Sequence, residues 1–293
     1  MSFSKTIHSL TILPGKNKCG AVETFSEIIL SPGDVLSVVG STGSGKTAFI
    51  NDIEVLAQGD TATGRTILIN GCLPPDDFIR DPSKKPIAMI TQNTKCLADL
   101  TVRKFLEMHI RSRKISENDV LEKTISTANK FTGEKIHADM RVSSLSGGQT
   151  RSLFIADAVI ISDTPILLLD ELENAGIFKE KVIEELRTLG KTTIFVTHDP
   201  YVSLLTDRRI VMENGTVKCI LEPNGCEKEV LLRISGMDRE LSAFRERIRR
   251  GEILADLNLT DSNHVDSTHT DSNFADPNLV ESNSVDLKKE VFT

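Results

Sequence analysis

The sequence predicts an α/β fold in which helices cover a buried and mostly parallel β-sheet. Short apolar runs recur through the first two thirds of the chain, and amphipathic stretches separate them. Strands that are apolar on both faces are typical of parallel sheets, because helices cover both sides. The runs are VLSVV (35 to 39), TILIN (66 to 70), IAMIT (87 to 91), ILLL (166 to 169) and TIFVT (193 to 197).

Antiparallel strands are expected on either side of this region. Residues 6 to 30 predict a small N-terminal β region. Near the other end, RRIVM (208 to 212) and TVKCI (216 to 220) flank Asn214 and Gly215, a pair that strongly favours a two-residue hairpin turn.

Helical patterns interrupt and follow the strands. Between about residues 93 and 144 the strand pattern stops, and the stretches TVRKFLEMHIRSR and ENDVLEKTISTANKFTG predict two helices. A further amphipathic helix is predicted over residues 238 to 250, and Gly251 ends it.

The acidic excess of the chain is confined to its C-terminal part. The 293 residues contain 35 Lys and Arg against 42 Asp and Glu, which gives a net charge of −7. From Glu252 onward, nine carboxylates stand against Lys288 and Lys289, and this difference equals the net charge of the whole chain. The near-neutral remainder gives no general attraction to nucleic acid, so no nucleic-acid partner is expected.

Cysteine usage and hydropathy predict a cytoplasmic protein without direct membrane insertion. The five cysteines are scattered, odd in number and without a CxxC pair, which favours free thiols in a reducing compartment. No run approaches 18 consecutive apolar residues, and MSFSKTIHSL at the N-terminus lacks the apolar core of a signal peptide.

A five-residue repeat occupies residues 255 to 289, as ADLNL, TDSNH, VDSTH, TDSNF, ADPNL, VESNS and VDLKK. This pattern is similar to that of pentapeptide-repeat β-helices, which bury Leu or Phe at the central position. Here Ser or Pro stands at that position in five of the seven units, and seven units are too few to bury a core. We therefore favour an acidic, disordered, low-complexity tail over a folded repeat.

The strongest chemical motif is GSTGSGKT, which matches G-x-x-x-x-G-K-[ST] between a strand and a helix. In this arrangement backbone N–H groups and the helix N-terminus face phosphate oxygens, the lysine neutralises the outer phosphates, and the last hydroxyl can ligate Mg²⁺. The predicted nucleotide-binding residues are Gly40, Ser41, Thr42, Gly43, Ser44, Gly45, Lys46 and Thr47.

The stretch ILLLDE supplies the second half of a nucleotide site. Asp170 at the exit of a buried strand can hold magnesium, and Glu171 can act as general base on an attacking water. Alone, an acid at a strand end is an ordinary solvated residue. Together with the phosphate loop, the pair predicts ATP hydrolysis.

The string LSGGQ (145 to 149) resembles the signature motif of ATP-binding cassette (ABC) ATPases, and the resemblance covers about residues 5 to 222. Gln92, after IAMIT, matches the Q-loop glutamine of the family, which would also contact the metal. His198, in IFVTHDP, matches the switch histidine that contacts the γ-phosphate. The implied fold is a P-loop NTPase (RecA-like) parallel sheet with a small antiparallel β region and a helical subdomain.

The resemblance also implies the organisation of the chain and of its dimer. The ATPase domain would span residues 1 to 222 with the helical subdomain at about 93 to 144. The helical pattern and the repeat that follow it predict a C-terminal helical extension (223 to 254) and the tail (255 to 293). Two such subunits would pair head to tail around ATP and Mg²⁺. Each phosphate loop would then face the signature of the other subunit, whose residues are Ser146, Gly147, Gly148 and Gln149.

Three features depart from the family pattern. No aromatic residue matches the adenine-stacking position, since Tyr201 is the sole tyrosine and Phe3 and Phe25 are poorly placed. Ile177 stands where the family has the D-loop aspartate that crosses the dimer. The segment from Glu171 to His198 is also shorter than in the family.

Two functions stay open at this point, and a third is less favoured. Of the two, the transporter subunit is preferred, because most chains with this set of motifs serve permeases. The stretch LADLTVRKFLEMH resembles the groove that receives the coupling helix of a membrane permease, which favours a transporter subunit at the inner face of the membrane. The same stretch can be read simply as a helix capped by Thr101. The missing aspartate and the added C-terminal helix favour a soluble ATPase that remodels a protein or metallocofactor partner. Glu171 and His198 argue against a module that binds nucleotide without hydrolysis.

Overall fold

The computed structural model describes residues 7 to 91, 93 to 94, 99 to 116, 119 to 171 and 176 to 253. The strands are β1 (Leu10–Leu13), β2 (Ile28–Leu30), β3 (Val35–Val39), β4 (Thr66–Ile69), β5 (Ile87–Ile90), β6 (Ile166–Asp170), β7 (Thr192–Val196), β8 (Arg208–Glu213) and β9 (Thr216–Leu221). The helices are α1 (Lys46–Glu54), α2 (Asp76–Arg80), α3 (Val102–Ser112), α4 (Val120–Phe131), α5 (Gly147–Ala156), α6 (Lys179–Thr188), α7 (Pro200–Leu205) and α8 (Gly225–Arg249).

A six-stranded sheet forms the centre of the fold, in the order β5-β6-β7-β3-β8-β9. Strands β5, β6, β7, β3 and β8 run parallel, and β9 pairs antiparallel with β8. The strand β3 is buried along nearly its whole length because it lies between β7 and β8 with covered faces. The predicted parallel sheet and the Asn214-Gly215 hairpin are confirmed, and both turn residues have the positive φ that such a turn requires.

A second sheet contains three antiparallel strands in the order β2-β1-β4. The expectation that residues 66 to 70 join the parallel sheet is therefore wrong, because β4 pairs with β1. Its burial alternates, with Ile67 and Ile69 buried and the other two residues half-buried. A short apolar run does not by itself reveal its partner strand, since pairing depends on distant residues.

The helices predicted between about residues 93 and 144 are confirmed. Helices α3 and α4 lie within the two expected stretches, and Thr101 caps α3 by accepting a hydrogen bond from the N–H of Lys104. Helix α5 continues into a π-helical turn, Asp157–Ile161. The C-terminal helix α8 begins at Gly225, thirteen residues before the predicted start. The repeat region lies outside the described residues.

The chain divides into two units between Ser242 and Ala243. The described part of the second unit is the end of α8 and the four residues that follow it. Among the described helices, none is both long and apolar enough to span a bilayer.

A buried ion cluster around Arg65 joins the antiparallel sheet to the central sheet. The Arg65 guanidinium donates to both carboxylate oxygens of Glu23, at 2.9 and 2.7 Å, and to Asp52 on α1 at 2.9 Å. It also donates to the carbonyl of Gly215 at 3.1 Å, and lies 5.0 Å from the ring centroid of Phe49. Parts of the chain up to 150 residues apart therefore meet at one cation.

The carboxylate of Glu23 is fully satisfied in this cluster. It also accepts the backbone N–H groups of Gly15 at 2.8 Å and Val217 at 2.7 Å. Burial opposes the charge, but the hydrogen bonds and the charge of Arg65 outweigh it, so the pKa of Glu23 lies below its ordinary value of 4.5. A fully paired cluster of this kind is costly to break, because removing one partner leaves a buried charge.

We expect Glu23→Gln to lower the free energy of unfolding by about 3 kcal/mol at pH 7, because Arg65 then keeps a buried charge with one fewer carboxylate. Urea denaturation followed by circular dichroism measures this loss. Since the folded-state pKa of Glu23 is lowered, the advantage of the wild type is complete above pH 4.5 and shrinks as the pH falls below that value.

The matched control is Asp76→Asn, which removes an exposed carboxylate 3.5 Å from Arg80. This variant should unfold at nearly the wild-type urea concentration, because exposed ion pairs contribute little. Equal, small effects of the two substitutions would contradict a stabilising role for the cluster.

Candidate active site

The loop between β3 and α1 has a backbone that requires glycine. Gly40, Gly43 and Gly45 have φ values of 152°, 80° and 105°, which other residues rarely adopt. A Cβ on Gly40 would lie 2.5 Å from the carbonyl oxygen of Met212, and one on Gly45 would lie 2.8 Å from the Cα of Gly215. The hairpin turn of β8 and β9 therefore packs directly against the loop and fixes its shape.

The side chain of Lys46 folds back over this loop. Its Nζ donates to the carbonyls of Gly40 at 2.8 Å and Ser41 at 3.0 Å, and the residue is buried. Burial lowers the pKa of Lys46, and the nearby charges of Glu171 and Asp170 partly offset this effect. The ammonium is thus held against two carbonyls of the loop, where the charges of Asp170 and Glu171 act on it.

Two hydroxyl groups near the start of α1 fit a phosphate and its counterion. The Oγ of Ser44 is buried and has no hydrogen-bond partner within the described part of the chain. Thr47 is exposed in the first turn of α1, beside the free N–H groups of the helix start. An unpartnered buried hydroxyl is uncommon, and a phosphate oxygen would satisfy it.

The two carboxylates of ILLLDE follow the buried strand β6. Asp170 ends the strand, and Glu171 has a φ of 50°, which is unusual for a residue with a Cβ. The N–H of Glu171 donates to the carbonyl of Val196 on β7 at 3.0 Å, and this bond holds the strained conformation. Such strain is found preferentially at functional sites.

His198 follows β7, and its Nε2 lies 3.6 Å from Oε1 of Glu171. The distance is too long for a hydrogen bond, and both side chains are partly exposed to solvent. The carboxyl ends of the parallel strands β3, β6 and β7 thus bring the phosphate loop, the carboxylate pair and the histidine to one edge of the sheet. A cleft at this edge is lined by Gly40, Thr197 and His198, among others.

The contacts of Asp199, in the loop that carries His198, were not predicted from the sequence. Asp199 accepts the N–H of Tyr201 at 2.8 Å, so that it caps α7, and it forms an ion pair with Lys179. Lys179 begins α6, soon after the segment that follows Glu171. The pair joins the loops after β6 and β7. The order Asp-Pro at residues 199 and 200 was a detectable sign of the helix cap.

The signature residues lie at the N-terminus of α5. Ser146 and Gln149 form a reciprocal capping box, and the Gln149 amide also donates to the carbonyls of Glu134 and Lys135. Ser146 and Gly147 are exposed. Within the described residues, these four make no hydrogen bond or ion pair with the phosphate loop, so one chain does not bring the two motifs together through such contacts.

Three other positions that the sequence singled out remain to be placed. Gln92 lies outside the described residues. Ile177 is buried in its own chain, where it bridges to Thr132 and packs with Phe131 and Val182, so it is a core residue here. Tyr201 is also buried, with its hydroxyl 3.4 Å from Oγ of Ser235, and does not offer a free ring face to adenine.

The donor set fits magnesium bound together with a nucleotide. Within the described ranges, no group of three His, Cys, Asp or Glu side chains could hold a metal ion alone. Magnesium usually takes one or two protein ligands and completes its shell with phosphate oxygens and water. Thr47, next to Lys46 in the chain, and Asp170, whose charge acts on Lys46, match that requirement.

Comparisons with known proteins show similarity to one family. Residues 26 to 174 match the family model described as ABC transporter. The chain is 47% identical to an uncharacterised ABC transporter ATP-binding protein of Methanocaldococcus jannaschii, over 85% of this chain and 95% of that protein. It is 28% identical to the thiamine import ATP-binding protein of Brucella suis, over 68% of this chain and 82% of that one.

Solved structures support the fold. The CbiO1 protein of Clostridium perfringens, part of the ABC transporter complex CbiONQ, aligns with a TM-score of 0.58 at 20% identity, over 84% of this chain and all of that one. An ATP-binding cassette in a dimeric post-hydrolysis state with ADP and phosphate aligns with a TM-score of 0.54 at 22% identity, over 74% and 99% of the two chains.

We expect Lys46→Ala to abolish nucleotide binding, because the ammonium is the cation held over the phosphate loop. Isothermal titration with MgATP measures this. Lys84→Ala is the control, since Lys84 is an exposed lysine paired with Asp77 at 2.7 Å, remote in sequence from the loop. Unchanged affinity in the Lys46 variant would remove this side chain from the site.

Proposed function

This chain belongs to the ABC family of ATP-binding proteins and is an ATP hydrolase, and we propose that it energises a membrane transporter through ATP-driven closing and opening of a dimer. The observation that carries the proposal is the convergence of the phosphate loop, the pair Asp170 and Glu171, and His198 at one edge of the sheet. The phosphate loop follows β3, the carboxylates lie at the end of β6, and His198 follows β7. They suit phosphate binding, magnesium binding with activation of water, and contact with the γ-phosphate, in that order.

In the proposed binding mode, residues 40 to 47 wrap the phosphates. Backbone N–H groups of the glycine-rich loop face the oxygens, and Lys46 exchanges its carbonyl partners for the outer phosphates. The Ser44 hydroxyl gains an acceptor. Magnesium, held by Thr47, Asp170 and Gln92, would neutralise charge on the β- and γ-phosphates.

Hydrolysis needs a group that orients and deprotonates a water next to the γ-phosphate. Glu171 suits this role, because it directly follows the end of β6 and its charge acts on Lys46 of the phosphate loop. His198, 3.6 Å from that carboxylate, can donate to the γ-phosphate and so report its presence. Asp199 and Lys179 position the histidine loop without touching the substrate.

In the proposed dimer, the signature of one subunit binds the γ-phosphate held by the phosphate loop of the other. Exposed Ser146 and Gly147 begin α5, where free N–H groups suit a γ-phosphate bound by the other subunit. ATP then links two copies, and phosphate loss lets them separate. In this proposal Ile177 contributes no contact across the dimer, because its side chain fills the core of its own chain.

The adenine base requires an apolar contact other than Tyr201. Val22 is exposed, and it lies in the loop where Lys16 bridges to Val22 and Asn17 packs near Gly215. Gly215 in turn touches Gly45 of the phosphate loop. Val22 is therefore the apolar side chain that we assign to the base.

A permease is the partner that best fits the surface of α3. Lys104, Met108 and Arg111 are spaced four and three residues apart, so they share one exposed face of the helix. An apolar side chain between two cations suits a short cytoplasmic helix of a membrane protein. A soluble client is the alternative, but the burial of Ile177 has an explanation in packing and no longer favours it.

We expect Glu171→Gln to reduce phosphate release by about a hundredfold or more and to retain ATP, because it removes the general base while leaving the binding groups intact. Phosphate release and ATP that co-elutes with the protein after desalting measure the two effects. Glu180→Gln, at an exposed position in the first turn of α6, is the control. Wild-type phosphate release in the Glu171 variant would exclude this residue as the base.

For the partner, affinity purification of the tagged chain from detergent-solubilised host membranes should recover a polytopic membrane protein. Met108→Glu should lose it, because a carboxylate replaces the apolar contact on α3, while ATP hydrolysis by the isolated subunit stays unchanged. Leu73→Glu, at a similarly exposed leucine, should retain it. Recovery of soluble partners alone would favour the remodelling function.

A further inference from the structure

A short loop after α4 is hydrogen-bonded at one end to the segment before α6 and at the other end to the signature. This bridging loop consists of residues 132 to 135. Thr132 is buried, and the other three residues are exposed. Burial of apolar side chains therefore does not account for the position of the loop, and its hydrogen bonds have to be considered instead.

The start of the bridging loop is bound to the residues that precede α6. The N–H of Phe178 donates to the carbonyl of Phe131 at 2.7 Å, and Ile177 forms an antiparallel bridge with Thr132. The Phe178 ring is 43% exposed, and its Cζ would lie 3.5 Å from a Cβ placed on Gly133. The ring thus lies beside the bridging loop and outside the core.

Phe178 is also next to the ion pair that joins the loops after β6 and β7. Lys179, the following residue, pairs with Asp199, and Asp199 directly follows His198. Both side chains of this pair are largely shielded from solvent, so the pair holds the two loops together more firmly than an exposed pair would. A displacement of the His198 loop would therefore reach Phe178 through one ion pair and one peptide bond.

The end of the bridging loop is bound to the signature. The side-chain amide of Gln149 donates to the carbonyls of Glu134 at 3.4 Å and Lys135 at 3.2 Å. The oxygen of the same side chain accepts the N–H of Ser146 at 2.9 Å. One buried glutamine thus joins the bridging loop to the residue that caps the N-terminus of α5.

Hydrogen bonds within the loop and to α4 give it a fixed shape between these two contacts. The Oγ1 of Thr132 accepts the N–H of Glu134 at 3.3 Å. The side chain of Asn129 on α4 donates to the carbonyl of Ile136 at 3.0 Å and accepts its N–H at 2.7 Å. A displacement at one end is therefore passed to the other end and is not absorbed by a slack loop.

We propose that the bridging loop couples the His198 loop to the signature of the same subunit, an inference that rests on the proposed function. His198 contacts the ATP on its own phosphate loop, whereas the signature of its chain closes the ATP site of the other copy. Loss of the γ-phosphate in the first site then loosens the signature in the second, so that one hydrolysis opens the dimer. A chain of hydrogen bonds and ion pairs is a physical route for such coupling. With Ile177 buried, this route lies within the subunit and needs no contact across the dimer.

Phe178→Pro breaks the route at one hydrogen bond, because it removes the N–H that donates to Phe131. Phe178→Ala is the matched control, since it removes the same ring and keeps the N–H. Proline fits the position, because Phe178 has a φ of −78° and stands immediately before α6. Both variants should bind MgADP with wild-type affinity, which shows that they are folded.

A mixed dimer tests the direction of the coupling. One copy has Glu171 and hydrolyses its ATP, and the other carries Glu171→Gln and keeps its ATP. Opening of the dimer after the single hydrolysis should release the kept ATP. Phe178→Pro in the hydrolysing copy should slow this release about five- to tenfold, the range expected for one hydrogen bond. The same substitution in the Glu171→Gln copy, and Phe178→Ala in either copy, should leave the release rate unchanged.

The measurement uses two differently tagged copies, purified together after loading with labelled MgATP. Labelled ATP, separated from ADP, is counted in the protein fraction at successive times after desalting. A merely structural role for Phe178 predicts the same release rate for either placement of Phe178→Pro. Equal rates for the two placements, or for Phe178→Pro and Phe178→Ala, would overturn the coupling.

Failure of the Glu171→Gln homodimer to keep ATP would instead contradict the proposed ATP-driven dimer. Hydrogen exchange in excess MgATP then tests the coupling in the single chain, where it requires only nucleotide binding. MgATP should slow exchange at residues 132 to 149 in the wild type and in Phe178→Ala, but not in Phe178→Pro. An effect of MgATP at these residues that is the same in both variants, or absent from the wild type, would overturn the coupling.

Discussion

The buried guanidinium of Arg65 fixes the relative positions of the parts that surround the phosphate loop. It binds Glu23 beside the antiparallel sheet, Asp52 on the helix that follows the loop, and the carbonyl of Gly215 in the hairpin turn. Gly215 in turn lies against Gly45, and its N–H donates to the carbonyl of Ser44 at 2.9 Å. The phosphate loop therefore keeps its shape because Arg65 holds the Gly215 turn in place, and Glu23 and Asp52 in turn hold Arg65.

A backbone hydrogen bond and an ion pair between loops position the segments that carry Glu171 and His198. Glu171 has an uncommon φ that the hydrogen bond to Val196 stabilises, and the pair Lys179 and Asp199 joins the segments that carry Glu171 and His198. Both devices position side chains beyond the ends of rigid parallel strands. Such pre-organisation suits a phosphoryl-transfer site, where catalysis depends on placement and charge.

The contact proposed between copies depends on the nucleotide. The phosphate loop of one copy and the signature of the other would meet through the charge of ATP. That contact would therefore end with each hydrolysis, because the γ-phosphate is the group that both motifs bind.

The sequence by itself determined the features that depend on neighbouring residues. The strand, loop and helix around residues 40 to 47, the carboxylates after β6 and the Asn214-Gly215 turn all follow from local residue chemistry, and the roles of the site residues stay predictions. Tertiary structure decided which sheet β4 joins, the meeting of Arg65 with Glu23, and the burial of Ile177. These depend on contacts between residues far apart in the chain, and a short apolar run or a lone charge does not specify its distant partner.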